Sequence, residues 1–373
     1  MHLTTTACHF LSLTAIAGES SPLLLSHLGI SQSYGAKLIT GLKKEGYIKT
    51  HYKNKLRGYR LTVKGKRLLL SGNPERFAFF LSGNSETNRP RSELPRRLRL
   101  QQASLVYAML LSCGIPFFRD QKPDLFGNPV PGRRPVLPVF YHSRELKELG
   151  DEAIKISSSR AMGILLAEDC IYILYHTGDA PMKWEYRTEL RLKALLRYHA
   201  SQGILSNEYL TAGYSYNTPV KALFIGNHMD TCLKLLVSNG GFRKTCFRLD
   251  SSFDFFHFVP DSSAGVTLIR ILCSHDIRAQ LDSILLSDLE PPDPRMGFSH
   301  DGITNGEPVL LAYDLDMLRL SRFHTALSLR DLTGWLICFD FQAETLKKYF
   351  GKSVHITTID LQKFERRFLC PSP

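Results

Sequence analysis

Three side chains are spaced like those of a metal-dependent nuclease. Asp124 precedes Glu145-Leu146-Lys147 in the chain, and an Asp with a Glu-x-Lys can hold a divalent cation that activates water against a phosphodiester bond. The local sequence opposes this interpretation, because Ser143 is a good N-cap and predicts a short helix over "SRELKELG", whereas the Glu-x-Lys has to lie on a strand. We therefore expect no enzyme and no metal, with a metal-dependent nuclease or nicking enzyme as the alternative.

The sequence lacks the signals of other catalytic or cofactor-binding sites. Its eight cysteines form no Cys-x-x-Cys pair, its thirteen histidines are dispersed, and no P-loop or dinucleotide fingerprint is present. Asp314, Asp316 and Asp340 follow predicted strands, where α/β proteins bind ligands. An Asp at that place also caps the next helix, which is the alternative role. We expect no cofactor.

The strongest chemical signal is a local excess of positive charge. Residues 30–70 hold eleven Lys or Arg and one Glu, a net charge of +10, whereas all 373 residues together carry +12. Such an excess suits the phosphate backbone of nucleic acid, because each Lys or Arg that meets a phosphate releases a counterion. A solvated surface or a protein-docking module is the alternative, but docking does not require this charge. We expect double-stranded DNA as the partner.

Two helices must position part of this charge. "SPLLLSHLGIS" offers Ser21 as an N-cap, Pro22 at the first helical position and Gly29 as the end of the helix. A second helix is predicted over Gln32–Lys44, with an apolar stripe formed by Tyr34, Leu38, Ile39 and Leu42. The rest of this helix should face solvent.

A hairpin and a third helix follow at once. "YIKTHYK" and "RGYRLT" alternate like two strands within Tyr47–Thr62, and Gly58 predicts a bulge. Thr62 is placed to cap a helix that begins "VKGKRLLL". Cys8–Ala17 resembles a signal-peptide core but lacks the basic residues before it, and we expect an N-terminal helix there instead.

Helix, turn, helix, basic hairpin and helix is the order of the winged helix-turn-helix family. "LSHLGISQSYGAKLITGLKKEGYIK" resembles its turn and recognition helix, and "YRLTVKGKRLL" is similar to its wing strand and following helix. The resemblance implies sequence-specific binding, with the second helix in the major groove and the hairpin along the backbone or minor groove. One such domain contacts only a few base pairs, and we therefore expect a homodimer.

The resemblance also implies which residues would contact DNA, unless Tyr34 belongs to the core. Base edges would be contacted by the first residues of the second helix, which are Gln32, Ser33, Tyr34 and Lys37. Phosphates would be contacted by the basic residues that follow, which are Lys43, Lys44, Lys53, Lys55, Arg57 and Arg60.

The remaining chain is predicted to be α/β, so that the fold class is mixed α/β. Strands separated by helices indicate parallel crossovers, and Gly265–Leu286 looks like one long helix. Glu185, Glu189 and Lys193 predict a surface ladder on another helix. We expect a DNA-binding domain over 1–80, a flexible basic linker over 81–99 that is solvated or adds a phosphate contact, an α/β domain over 100–290 and a C-terminal α/β subdomain over 297–373.

The order of these elements resembles the replication-relaxation family of plasmid and conjugative-element proteins. That resemblance implies a degenerate restriction-endonuclease-like fold after the winged helix, and a role in replication, transfer or their regulation with replication or conjugation proteins as partners. A ligand-sensing transcription regulator is a further alternative. The cysteine usage is that of a cytoplasmic protein, and the apolar runs are shorter than the roughly 18 residues that span a membrane.

Overall fold

The computed structural model describes residues 3–82, 93–123, 125, 137–148, 156, 158–201, 214–215, 217–240 and 246–369. The chain is mixed α/β, which confirms the predicted fold class. It forms two compact units, Met1–Arg134 and Pro135–Pro373. No helix in the described part of the chain is both long and apolar enough to cross a bilayer.

The first unit is a set of helices around one hairpin. Its helices are α1 (Thr5–Ala17), α2 (Leu24–His27), α3 (Gln32–Lys44), α4 (Val63–Gly72), α5 (Pro74–Leu81) and α6 (Leu94–Ser112), and its strands are β1 (Ile48–Lys53) and β2 (Leu56–Leu61). Thr62 caps α4 by accepting a hydrogen bond from the Gly65 backbone, as predicted. The short helix α2 begins at Leu24, because the Ser21 hydroxyl accepts from the Leu23 amide and the chain forms a turn before the helix.

Helices α1 and α6 form the centre of this unit. Phe10 and Leu11 of α1, and Val106 and Tyr107 of α6, are almost fully buried. Ser20 pairs with Tyr59 of β2 through two backbone hydrogen bonds of 2.9 and 3.0 Å. This bridge joins the end of α1 to the hairpin as a short third strand.

The first sheet of the second unit has the order β3-β4-β5-β6-β7. Its strands are β3 (Val139–His142), β4 (Gly163–Leu166), β5 (Ile171–Gly178), β6 (Val220–Gly226) and β7 (Phe256–Pro260). The first three are antiparallel, and β5, β6 and β7 are parallel. The helices beside it are α7 (Ser143–Glu148), α8 (Tyr186–Ser201), α9 (Met229–Leu236), α10 (Ser263–Cys273) and α11 (His275–Leu286).

A second sheet of the same unit has the order β11-β10-β9-β8. Its strands are β8 (Gly302–Thr304), β9 (Glu307–Leu311), β10 (Gly334–Phe339) and β11 (Val354–Ile359), and its helices are α12 (Met317–Arg330), α13 (Asp340–Phe350) and α14 (Leu361–Phe364), with a π-helical turn over Glu365–Leu369. Strands β9, β10 and β11 are parallel. The Phe258 amide donates to the Leu315 carbonyl, and a β-bridge joins His257 to Asp316.

These contacts change the predicted domain limits. Residues 135–290 and 297–373 belong to one compact unit, in which β7 hydrogen-bonds the chain that follows β9, whereas residues 100–134 belong to the first unit. The predicted linker over 81–99 contains the start of α6, which packs within the first unit; residues 83–92 lie outside the described residues.

Three local predictions were wrong. Gly265–Leu286 is two helices, because the Ser274 hydroxyl caps a new helix by accepting from the Ile277 amide. Glu189 is buried and accepts from the Tyr175 hydroxyl at 2.5 Å, so it belongs to no surface ladder. Gly58 lies in regular register opposite His51 and forms no bulge.

Candidate nucleic-acid interface

Helix α3 presents a polar face to solvent. Its exposed residues are Gln32, Ser33, Tyr34, Ala36, Lys37, Thr40, Lys43 and Lys44. The opposite face buries Gly35, Ile39 and Leu42, which is the period of an amphipathic helix. A Cβ at Gly35 would stand 3.4 Å from Leu25 Cδ1, so the glycine lets α2 and α3 approach closely.

Tyr34 belongs to the exposed face. Its exposed fraction is 42 %, and the buried position beside it is taken by Gly35. The alternative in which the Tyr34 ring is part of the core is therefore wrong. Gln32, Ser33, Tyr34 and Lys37 all lie on the first half of α3, where the amides of a helix N-terminus carry a partial positive charge.

The hairpin carries a second group of exposed cations. A two-residue turn joins its strands, and both turn residues have positive φ (Asn54 54° and Lys55 58°), which is the type I′ geometry. Exposed side chains follow the hairpin towards this turn, namely those of Lys49, Tyr52, Lys53, Asn54, Lys55 and Arg57. Lys49 and Tyr52, which is 67 % exposed, add to the contact residues expected from the sequence.

Seven of these side chains form the basic surface, which we define as Lys37, Lys43, Lys44, Lys49, Lys53, Lys55 and Arg57. None of them forms an ion pair with a carboxylate in the part of the chain that the structure describes. Lys64 has a structural role instead, because its Nζ donates to the Glu45 carbonyl at 2.8 Å and lies over the Tyr47 ring. The charge of the basic surface is therefore neutralised by solvent ions alone or by a bound polyanion.

Arg60 does not belong to the basic surface. It was expected to contact phosphate, but its exposed fraction is 7 %. Its Nε and Nη2 atoms bind Glu19 Oε2 at 2.8 and 2.7 Å. A guanidinium held in a buried ion pair is not available to DNA.

The carboxylate of Glu19 is the centre of a buried polar cluster with Arg60, Arg97 and Gln101, the Glu19 cluster. Arg97 Nη2 and Gln101 Nε2 each donate to Glu19 Oε1 at 2.7 Å. Burial alone would raise the pKa of Glu19, but the hydrogen bonds from Arg97, Gln101 and Arg60 outweigh it and hold the pKa below its ordinary value. Glu19 is therefore ionised inside the unit at neutral pH.

Arg97 also joins helix α6 to the hairpin. Its guanidinium donates to the carbonyls of Lys53 and His51 at 3.0 Å and of Leu56 at 3.1 Å. A Cβ at Gly58 would stand 2.2 Å from Glu19 Oε1, so only glycine leaves room for this carboxylate below the hairpin. The cluster therefore fixes the hairpin relative to α1 and α6.

The sequence did not indicate this role for Arg97. It was counted with the basic linker residues, either as solvated or as a phosphate contact, and both interpretations are wrong because its side chain is fully buried. A usable signal existed in the spacing of Arg97 and Gln101, which are one helical turn apart and share a face. Glu19, the residue that they contact, lies 78 residues before Arg97.

Of the three candidate nuclease residues, the structure describes the side chain of Glu145 alone. Asp124 lies outside the described residues, as does the side chain of Lys147. Glu145 is on helix α7, as its sequence context predicted, and its buried Oε2 accepts from the His142 amide at 2.7 Å. Among the described residues, no group of three or more His, Cys, Asp or Glu side chains is arranged to hold a metal ion.

Comparison with protein-family models, with curated proteins and with solved structures finds no match to this chain. The resemblances to the winged helix-turn-helix and replication-relaxation families therefore stay predictions from the sequence.

Proposed function

We propose that the first unit binds double-stranded DNA through α3 and the β1–β2 hairpin. The observation that carries the proposal is the basic surface: seven exposed cations on two adjoining elements, without a carboxylate partner among the described residues. Unpaired charges of one sign that are concentrated on one surface repel each other and destabilise the folded unit. Phosphate contacts would turn this repulsion into affinity.

The dimensions of the two elements fit a winged helix-turn-helix mode of binding. With 13 residues, α3 is about 20 Å long, and a helix of this kind fits the major groove of B-DNA. Gln32, Ser33 and Lys37 would contact base edges, and Tyr34 would lie beside them. The six-residue strands of the hairpin reach about 20 Å, enough to place Lys53, Lys55 and Arg57 on the adjacent backbone.

The proposal is tested by fluorescence anisotropy with duplexes captured from genomic DNA by the purified protein. If most of the seven cations contact phosphates, a plot of the logarithm of the binding constant against the logarithm of the salt concentration should have a slope between about −3 and −6. Changing Lys43, Lys44, Lys53 and Lys55 together to Glu should weaken binding by about a hundredfold or more at fixed salt. Gln32→Ala and Ser33→Ala should change which sequences are captured.

A matched control makes the same change in charge on the second unit. Lys347, Lys348, Lys352 and Lys363 are exposed, and their replacement by Glu should leave DNA affinity within about twofold, because they lie outside the basic surface. If both fourfold variants lose affinity equally, binding depends on net charge and the proposed surface is wrong. If the first variant keeps full affinity while its circular dichroism is unchanged, the first unit does not bind DNA.

The wider expectations rest on the sequence resemblances alone. A homodimer, which would read two half-sites, predicts a palindrome in the captured sequences. The role in plasmid or conjugative-element replication, transfer or regulation stays a prediction, as does the cytoplasmic location.

A further inference from the structure

The second unit contains a polar cavity where its two sheets meet. Its volume is about 180 Å³, room for about six water molecules. One wall is formed by Tyr172, Lys221 and His257, the second residues of the parallel strands β5, β6 and β7. The register places them on one face of the sheet, because Tyr172 lies opposite Lys221 and His257 lies opposite Leu223.

The opposite wall comes from the C-terminal end of β9 and from two helices. Tyr313 and Asp314 follow β9, the position where α/β sheets bind ligands. Helix α11 contributes Arg278 and Asp282, one helical turn apart, and α12 contributes Arg319. The cavity therefore combines side chains from distant parts of the chain.

Two of the three cations at the cavity are already neutralised. Arg278 Nη2 lies 2.7 Å from both carboxylate oxygens of Asp169. Arg319 Nη2 lies 2.6 and 2.7 Å from the two oxygens of Asp301. These contacts satisfy the charge of each guanidinium inside the protein.

Lys221 is the cation without such a partner. Its exposed fraction is 8 %, and its Nζ lies 5.6 and 4.9 Å from the ring centres of Tyr172 and Phe255. No hydrogen bond joins its Nζ to another described residue. The charge of Lys221 acts on Asp169, but that carboxylate is already bound by Arg278. A lysine that is more than nine-tenths buried at a cavity wall, beside a carboxylate that another cation already holds, favours an anionic group in the cavity.

Two carboxylates remain on the other wall. Asp282 Oδ1 accepts from the Tyr313 hydroxyl at 2.6 Å, and Asp314 lies beside His257, with 3.8 Å between Asp314 Oδ2 and His257 Nδ1. Burial raises the pKa of Asp282, and the neighbouring Asp314 and Asp301 raise it further. Burial lowers the pKa of His257 despite the two nearby aspartates, so this ring is neutral at pH 7 and does not balance their charge.

After the internal pairs are removed, the cavity holds one ammonium on one wall and two carboxylates on the other. We propose that it binds a small zwitterion of the α-amino-acid class, with the ligand ammonium between Asp282 and Asp314 and the ligand carboxylate on Lys221. Phe255, Leu272 and Leu311 supply the apolar surface for a short side chain. This site belongs to the second unit and does not depend on DNA binding by the first.

The same charges disfavour other ligands. A phosphate would approach Lys221 but would face Asp282 and Asp314 without a free guanidinium to compensate. A simple amine would satisfy the two carboxylates and leave Lys221 buried and unpaired. Only a ligand with both signs satisfies both walls.

The experiment measures the melting temperature of the full-length protein with each of the twenty L-amino acids at millimolar concentration. We expect at least one amino acid with a short side chain to raise the melting temperature, since a ligand that binds only the folded state stabilises that state. Calorimetry then compares the best ligand with its two truncated analogues; for valine these are isobutylamine and isovalerate. Each analogue should bind at least about tenfold more weakly, because each lacks one charged contact.

Lys221→Met and Asp314→Asn should each lower the affinity for the best amino acid by about tenfold or more. The control substitutions Lys347→Met and Asp288→Asn, at exposed positions, should leave this affinity unchanged. The proposal is overturned if no amino acid raises the melting temperature, if the amine analogue binds as tightly as the amino acid, or if inorganic phosphate competes for the site. The analogue series needs no variant, so the proposal stays testable even where a variant fails to fold.

Discussion

Glu19→Gln is the sharpest test of what fixes the hairpin. The substitution preserves shape and removes the charge that faces two guanidiniums, with contacts of 2.7 Å to Arg60 and 2.7 Å to Arg97. Arg97 forms no other ion pair among the described residues. Removing one partner from a buried ion pair costs about 3–5 kcal/mol, and the new amide recovers part of this by accepting one hydrogen bond. We expect a loss of about 3 kcal/mol in the free energy of unfolding of the first unit.

Hydrogen exchange measures this loss where it occurs. A decrease of about 3 kcal/mol corresponds to about a hundredfold faster exchange of the β1 and β2 amides, if these exchange through unfolding of the unit. Both tryptophans, Trp184 and Trp335, lie in the second unit. Their fluorescence during urea unfolding is therefore an internal control, and its midpoint should not move.

The effect should depend on pH with a defined sign. The pKa of Glu19 is lowered from its ordinary value of 4.5, so its contribution is complete above that value and is lost as the pH falls through the lower, folded-state pKa. The difference between wild type and Glu19→Gln should therefore shrink in acid below pH 4.5. A variant that exchanges like wild type at neutral pH, or a difference that grows in acid, would refute the role assigned to the Glu19 cluster.

Three further predictions concern the same unit. Lys55→Gly should stabilise the hairpin by about 1 kcal/mol, because a lysine at φ 58° is strained where glycine is not. The same substitution should weaken DNA binding measured by anisotropy, and unchanged affinity would show that Lys55 does not contact DNA. Gly58→Ala should cost about 2–4 kcal/mol in urea unfolding followed by hydrogen exchange, because its Cβ would stand 2.2 Å from Glu19 Oε1. Gly41→Ala, which has no atom within 4 Å of the added Cβ, should instead gain up to about 1 kcal/mol as a helix-interior substitution; the same sign for both glycines would contradict the packing described.

Local signals were sufficient to predict the elements of the proposed interface. The apolar stripe predicted α3 with the limits Gln32–Lys44 that the structure has, and the polar turn around Asn54 predicted the hairpin. Both depend on neighbours a few residues apart, which periodicity and turn chemistry detect. Only the structure could assign Tyr34 to the exposed face of α3. The sequence pattern alone does not show whether a residue at the edge of the apolar stripe is buried or exposed.

Long-range pairs could not be predicted from the sequence. Counting charges treated Arg60 and Arg97 as free cations, because it ignored the shared face of Arg97 and Gln101 and because their partner Glu19 is distant in the chain. The same holds for the cavity of the second unit. Asp314 was visible as a carboxylate after a strand, but Lys221 and Asp282 come from other elements, and the pairing that neutralises Arg278 and Arg319 appears only once the chain is folded.

The contacts of Arg97 also determine where the chain can be cut. A fragment ending at residue 80 would contain all of α3 and the hairpin, yet it would lack Arg97, so the carbonyls of His51, Lys53 and Leu56 would lose their donor. During synthesis, the hairpin would likewise reach its final position only after α6 had left the ribosome. The smallest fragment that preserves the arrangement of α3 and the hairpin should therefore end beyond Gln121, the last residue of the 3-10 turn whose Asp120 binds Arg76 of α5.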